Sequence, residues 1–306
     1  MPAIPNTVIW SYSVAGAILV IGLVTIFVRG EWQKARGLDR LLVLAPIFYA
    51  MPVAAFGTEH FTLTALIGSI IPKWIPWHTF WVYFVGACLI AGALSLVTGI
   101  QTRLSAFLLG VTFFLFVALM HFPAWTRIPG NRFAFTFVLR ELSFSGGALA
   151  FAGRLTQQWR EHGKHLLATI GRYFVAAAVL FFSVQQFLHG DHVPGVPLEP
   201  LTPSYVPGHA VWTYFAAVVY AVAGILLLIN KKTRAAATWL GLTVLFIVVV
   251  VYGPVAVVER ASLAKGLNYI MDTLMFCGAV LLLATAMPRE SQARKLDASP
   301  SDHRHR

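Results

Sequence analysis

Apolar runs of about 20 residues follow one another along most of the chain, the length an α-helix needs to cross a hydrocarbon core. Short polar or proline-containing stretches close each run, and none alternates with a period of two. That absence argues against an outer-membrane barrel. The pattern predicts about nine spans, beginning near Thr7, Leu41, Trp77, Leu104, Phe133, Leu167, Ala210, Ala235 and Leu267. The expected fold class is all-α, a polytopic membrane protein.

The second half of the chain repeats the first. One constant offset lays Pro72 on Pro203, Pro76 on Pro207, His78 on His209 and Trp81 on Trp212, and further on Pro123 on Pro254 and Glu141 on Asp272. No gap is needed, and the matches include proline, histidine, tryptophan and an intramembrane carboxylate rather than leucine and valine alone. The expectation is one N-terminal span with a basic loop (1–40), a first four-helix unit (41–153), a cytoplasmic linker (154–166), a second four-helix unit (167–287) and a disordered cytoplasmic tail (288–306). Each unit has an even number of spans, so both copies enter the bilayer in the same direction. Between the first two spans of the first unit, Thr62 to Trp77 is too short to cross and rich in Trp and Ile. It is expected to line the outer mouth at the level of the lipid headgroups.

Composition agrees with this picture. Of 306 residues 58% are hydrophobic and only 11% charged, and the mean hydropathy is +0.73, far from the roughly one-quarter charged content of soluble domains. The net charge of +11 would suggest nucleic acid in a soluble chain. With the N-terminus outside, most of the 23 Lys and Arg fall in cytoplasmic segments, such as Arg29 to Arg40, Arg154 to Arg172 and Lys231 to Arg234. The positive-inside rule accounts for them and leaves no surface for nucleic acid. The first span lacks a basic region before it and reads as an anchor helix rather than a cleaved signal. The cysteines Cys88 and Cys277 sit at non-equivalent positions of the repeat and are expected to be buried structural thiols.

The candidate chemistry lies in a few polar residues within or beside the spans. Arg140 and Glu141 fall about 12 Å along their helix, a depth at which a charge faces a partner or a wet cavity. The first outer loop of the second copy is longer, and with Phe61 laid on Phe187 the second copy has Gln185 where the first has Glu59, as it has Met271 where the first has Arg140. Both charges vanish together, which leads us to expect a structural ion pair between Glu59 and Arg140. The carboxylate kept in both copies, Glu141 and Asp272, is the candidate for proton handling. On the outer side His60, His78 and His121 gather in the first unit, with Gln186, His209 and Tyr252 opposite them in the second. Histidine beside a carboxylate exchanges protons near neutral pH, as quinol oxidation or proton-coupled transport requires. The alternative for each histidine is a hydrogen bond to loop backbone at the wet interface. His189, Asp191 and His192 lie in a loop without helical ligand spacing, so no metal site is expected, and no cofactor motif is evident.

The polar end of the first helix, the segment ending in Pro72-Lys73-Trp74-Ile75-Pro76, the Trp81-Val82-Tyr83-Phe84-Val85-Gly86 helix start, the Thr102-Arg103 turn and the acidic residue Glu141 together resemble the DoxX/DoxD-like membrane proteins. The resemblance covers 41–152 and, less closely, 167–284. It implies a tandem version of a normally single unit, in a bacterial plasma membrane, associated with the quinone pool or with thiol and sulfur redox chemistry. A quinone or similar small amphiphile as ligand, the bilayer and a redox partner protein are the expected partners. Each unit is expected to enclose its own outer-facing polar cavity, the first being the working one. A small-solute transporter and a non-catalytic assembly or lipid-organising protein are the alternatives from other functional classes.

Overall fold

The computed structural model of the chain describes residues 3–154, 166–197 and 202–288, the side chains of His209 and Ala264 excepted. The linker and tail read from the sequence lie almost wholly outside these residues. All regular elements among the described residues are helical. The long ones are α1 (Asn6–Val28), α2 (Ala45–Thr62), α3 (His78–Thr98), α4 (Thr102–Phe116), α5 (Arg132–Arg154), α6 (Leu166–Leu188), α7 (His209–Leu228), α8 (Thr233–Ile247) and α9 (Tyr269–Ala286).

Among the described residues eight helices are long and apolar enough to cross a membrane, and the protein is a multi-pass integral membrane protein. The ninth expected span, α5, has 23 residues but falls short in apolarity. The reason is local: α5 carries Arg132, Arg140 and Glu141. It is enclosed by α4, α6 and α9, so protein rather than lipid surrounds most of its polar residues.

Element boundaries recur along the chain at the offset that carries His78 to His209. A π-helical turn follows α4 at Val117–His121 and α8 at Val248–Tyr252, and a short helix succeeds each, Phe122–Arg127 and Gly253–Val258. Pro123 and Pro254 sit in the first turn of those short helices. A proline cannot donate to the carbonyl one turn back and its ring crowds that carbonyl, and a wider turn before it relieves both. Left-handed backbone also recurs, at Trp77 and Gly208 before α3 and α7, and at Gln101 and Lys232 before α4 and α8.

Tertiary packing exchanges the halves. Helix α2 lies against α9 and α6 lies against α5, so the first long helix of each half packs on the last helix of the other, and α5 and α9 meet at the centre. Helix α2 reaches α5 through Tyr49, whose hydroxyl donates to the Phe144 carbonyl at 3.0 Å. Glycines make these approaches possible. A Cβ at Gly147 would strike the Ala279 backbone, one at Gly278 the Tyr49 backbone, and Gly146 and Gly171 face each other across α5 and α6. The two halves thus pack through each other's last helices, because small residues on the fourth helix of each half favour a neighbour from the other half.

On the side where α3, α7 and α9 end, arginines bond their last carbonyls. Arg29 donates to Thr98 at 2.6 Å, Arg172 to Leu227 and Leu228, and Arg234 to Ala284 at 3.3 Å while also pairing with Asp39 at 2.7 Å. These basic residues thus satisfy orphan carbonyls and oppose the negative ends of helix dipoles.

Candidate functional site

At the end of the bundle away from those arginines, a cavity of about 1000 Å³ opens between α2, α3, α4, α5 and the start of α9. Its roof is the segment expected at the mouth, a short helix Thr64–Ile70 followed by turns, which presents Ile67, Ile71, Trp74 and Trp77. The walls are largely aromatic, among them Phe56, Trp81, Phe84, Phe116 and Phe137. Polar groups concentrate where α2, α5 and α9 converge, and both the π turn Val117–His121 and the π turn Leu263–Asn268 contribute lining residues. Such turns re-aim side chains that a regular helix would point elsewhere.

Arg140 is the centre of this polar floor. Its Nη1 donates to Asp272 Oδ2 at 2.7 Å and its Nη2 to Glu141 Oε1 at 2.9 Å, with the guanidinium 4.7 Å from the Phe137 ring centroid. The side chain is 11% exposed, so these are charge-assisted bonds in a low-dielectric setting. The expected pair between Glu59 and Arg140 does not form. Asp272 arrives from the other half because α9 packs between α2 and α5, and it bonds the guanidinium with which Glu59 was expected to pair. Glu59 is 8% exposed, lines the cavity, and its Oε1 has no hydrogen-bond partner. Glu141 Oε2, Arg140 Nε and Asn268 Oδ1 are likewise buried and unpartnered.

The remaining sequence candidates divide. His60 lines the cavity with its Nδ1 2.7 Å from the Phe56 carbonyl, so Nδ1 carries the proton in the neutral ring and Nε2 is left as an acceptor. His121 also lines it and stacks on Phe137, with ring centroids 6.1 Å apart. His78 stands outside the lining, with Nε2 3.3 Å from the Pro72 carbonyl, the loop-backbone role weighed against a site role. The side chain of His209 lies outside the described residues. Tyr252 is fully buried in the second half and donates to the Pro194 carbonyl at 2.9 Å. Cys277 is buried and bonds the Gly241 carbonyl, but Cys88 is exposed on α3, against the expectation of two buried thiols. The flank of α3 that carries Cys88 faces away from the bundle, where an apolar thiol is compatible with lipid.

In the second half the described part of the loop after α6 packs into the corresponding place. Val193, Val196 and Val206 are buried, Gln186 donates to the Gly195 carbonyl at 2.9 Å, and Thr213 donates to the His192 carbonyl at 3.0 Å. Gly195 lies beside Ile247 and Tyr252, the residues the offset matches to cavity-lining Phe116 and His121. At the loop's start Arg132 contacts His192 at 2.7 Å and His192 contacts Asp191 at 2.8 Å. That hydrogen bond from His192 holds the exposed Asp191 carboxyl below the usual carboxylate range. Tyr252→Phe removes the tie to Pro194 and leaves a buried carbonyl unpaired, so thermal unfolding in detergent should show a loss of about 1–2 kcal/mol.

Sequence reasoning found Glu59, His60, His121, Arg140, Glu141 and Asp272 but assigned the last to a separate cavity. It missed Asn268 and Tyr269, which the repeat offset matches to Phe137 and Val138 and so gives no polar counterpart. Comparison of the chain with protein-family models, curated proteins and solved structures finds no match.

Proposed function

We propose that this membrane protein binds a small membrane-borne amphiphile in this cavity, with the headgroup at the Glu59–Arg140–Glu141–Asp272 floor and the apolar body between the aromatic walls. The observation that carries this reading is the set of buried, unpartnered polar atoms at the base of an otherwise apolar cavity. A volume of about 1000 Å³ is at the upper end for small-molecule sites. Among the buried, unpartnered atoms of the floor acceptors outnumber donors, Glu59 Oε1, Glu141 Oε2 and Asn268 Oδ1 against Arg140 Nε. A head that donates hydrogen bonds complements them, and the reduced, dihydroxy form of a quinone has such a head.

The resemblance to DoxX/DoxD-like proteins adds the redox setting. In this proposal the chain is a tandem of two such units in a bacterial plasma membrane, with its N-terminus outside and its arginine-capped face in the cytoplasm. A partner protein carries the electrons, and His60 and His121 pass protons between the floor and the mouth.

Native mass spectrometry with lipid extraction, on protein purified in mild detergent, tests the reading. Wild type should retain a specific small amphiphile, and the cavity-narrowing Val85→Trp/Leu119→Trp variant should lose it while remaining monodisperse. Retention unchanged in that variant, or no specific molecule in wild type, would count against the proposal.

A further inference from the structure

Three carboxylates meet one guanidinium at the floor of the cavity, and the guanidinium's two terminal nitrogens are taken by Glu141 and Asp272. Glu59 faces the cavity with a buried oxygen that has no partner. A buried carboxylate in that position is tolerated in two states, neutralised by a proton or faced by a cation. The same cavity is lined by aromatic rings, Phe56 and Trp81 on α2 and α3, Phe116 and Phe137 on α4 and α5. Ring faces attract positive charge and repel negative charge.

We infer that the cavity selects amphiphiles whose head is an organic cation, and that such a cation exchanges for a proton held at Glu59. This rests on the cavity reading above, and it takes a cationic head in place of the quinol head. The exchange balances in charge and in atoms: one cation enters from the membrane or the outer solution, the O–H bond of the Glu59 carboxyl breaks, and the proton leaves to water. The resulting carboxylate pairs with the bound cation, so the formal charge of the floor plus its ligand is the same before and after. The groups that face Glu59 are compatible with this. His60 shares its helix, His121 comes from the π turn after α4, Arg140 and Glu141 from α5, and Tyr269 and Asp272 from α9, while the cavity-lining residues of α3 are uncharged. Tyr12 is the titratable residue that α1 brings against α2, beside Met51 and Phe56. Arg140 is already committed to two carboxylates, so it does not neutralise the third.

Tetraphenylphosphonium and tetraphenylborate test this, since they are similar in size and apolar surface and opposite in charge. Isothermal titration of the detergent-purified chain against each ion, with empty micelles as reference, should show saturable binding of the phosphonium at one site per chain and none of the borate. Repeating the titration in buffers of different ionisation enthalpy should report release of about one proton per cation bound. Glu59→Gln should weaken phosphonium binding about tenfold, through loss of the Coulomb attraction between the cation and a facing carboxylate, and abolish the proton release. Glu59→Asp should keep the release. Equal affinity for both ions, phosphonium binding without proton release, or stronger retention of a neutral quinol than of the phosphonium would overturn the inference. The cavity reading is judged separately by the lipid retained in wild type and lost in Val85→Trp/Leu119→Trp, so the two can fail independently.

Discussion

Arg140→Met is expected to cost about 3–5 kcal/mol of stability, because it strands Glu141 and Asp272 as buried carboxylates with no cation between them. Both partners are within hydrogen-bond distance of the guanidinium, at 2.9 and 2.7 Å, and both are buried. The size of the loss therefore reports the charges left behind rather than the worth of the ion pairs. Removing the whole triad separates the two. The triple variant Arg140→Met/Glu141→Gln/Asp272→Asn should recover most of the loss, since uncharged groups of similar shape replace a buried ionic set at little net cost. Survival of the monodisperse species through a temperature series in detergent measures both. A triple variant no more stable than Arg140→Met would mean that the triad holds the halves together through its geometry rather than through charge balance.

Gly147→Leu is expected to be at least as damaging. A Cβ at this position already meets the Ala279 backbone, and a backbone neighbour has no rotamer through which to yield. The substitution must push α5 and α9 apart, at about 3 kcal/mol or more. Because Asp272 on α9 bonds Arg140 on α5 at 2.7 Å, the same displacement loosens the floor of the cavity. Gly147→Leu should therefore lower both thermal survival and retention of the bound amphiphile. Gly16→Leu is the matched control, for a Cβ at Gly16 has nothing within 4 Å. It should stay within about 0.5 kcal/mol of wild type in the same assay.

Much of the architecture was legible along the chain, for a physical reason. Lipid cannot satisfy backbone polar groups, so length and apolarity alone mark a spanning helix. Composition, charge distribution and run length thus determined an all-α multi-pass protein. The recurrence of Pro123 and Pro254 was visible in the sequence, whereas the π turns before them emerged only in the structure. The depth of Arg140 and Glu141 also identified them as special, because a charge inside a span needs a partner wherever it points.

Only the tertiary structure decided who that partner is. The joint loss of Glu59 and Arg140 from the second half suggested a pair, yet a repeat compares equivalent positions and says nothing of contacts between the halves. Gly147 and Gly278 draw α5 and α9 together and seat α9 on α2, and this exchange carries Asp272 into the first half's cavity. Asn268 and Tyr269 enter the site by the same route, and Tyr252 is turned inward to hold the loop that fills the second half. Sequence alone determined the helices, their order and the residues whose charge required an explanation. Packing between distant helices decided that the cavity is lined by residues of both halves, because that choice depends on which small residues let two backbones touch.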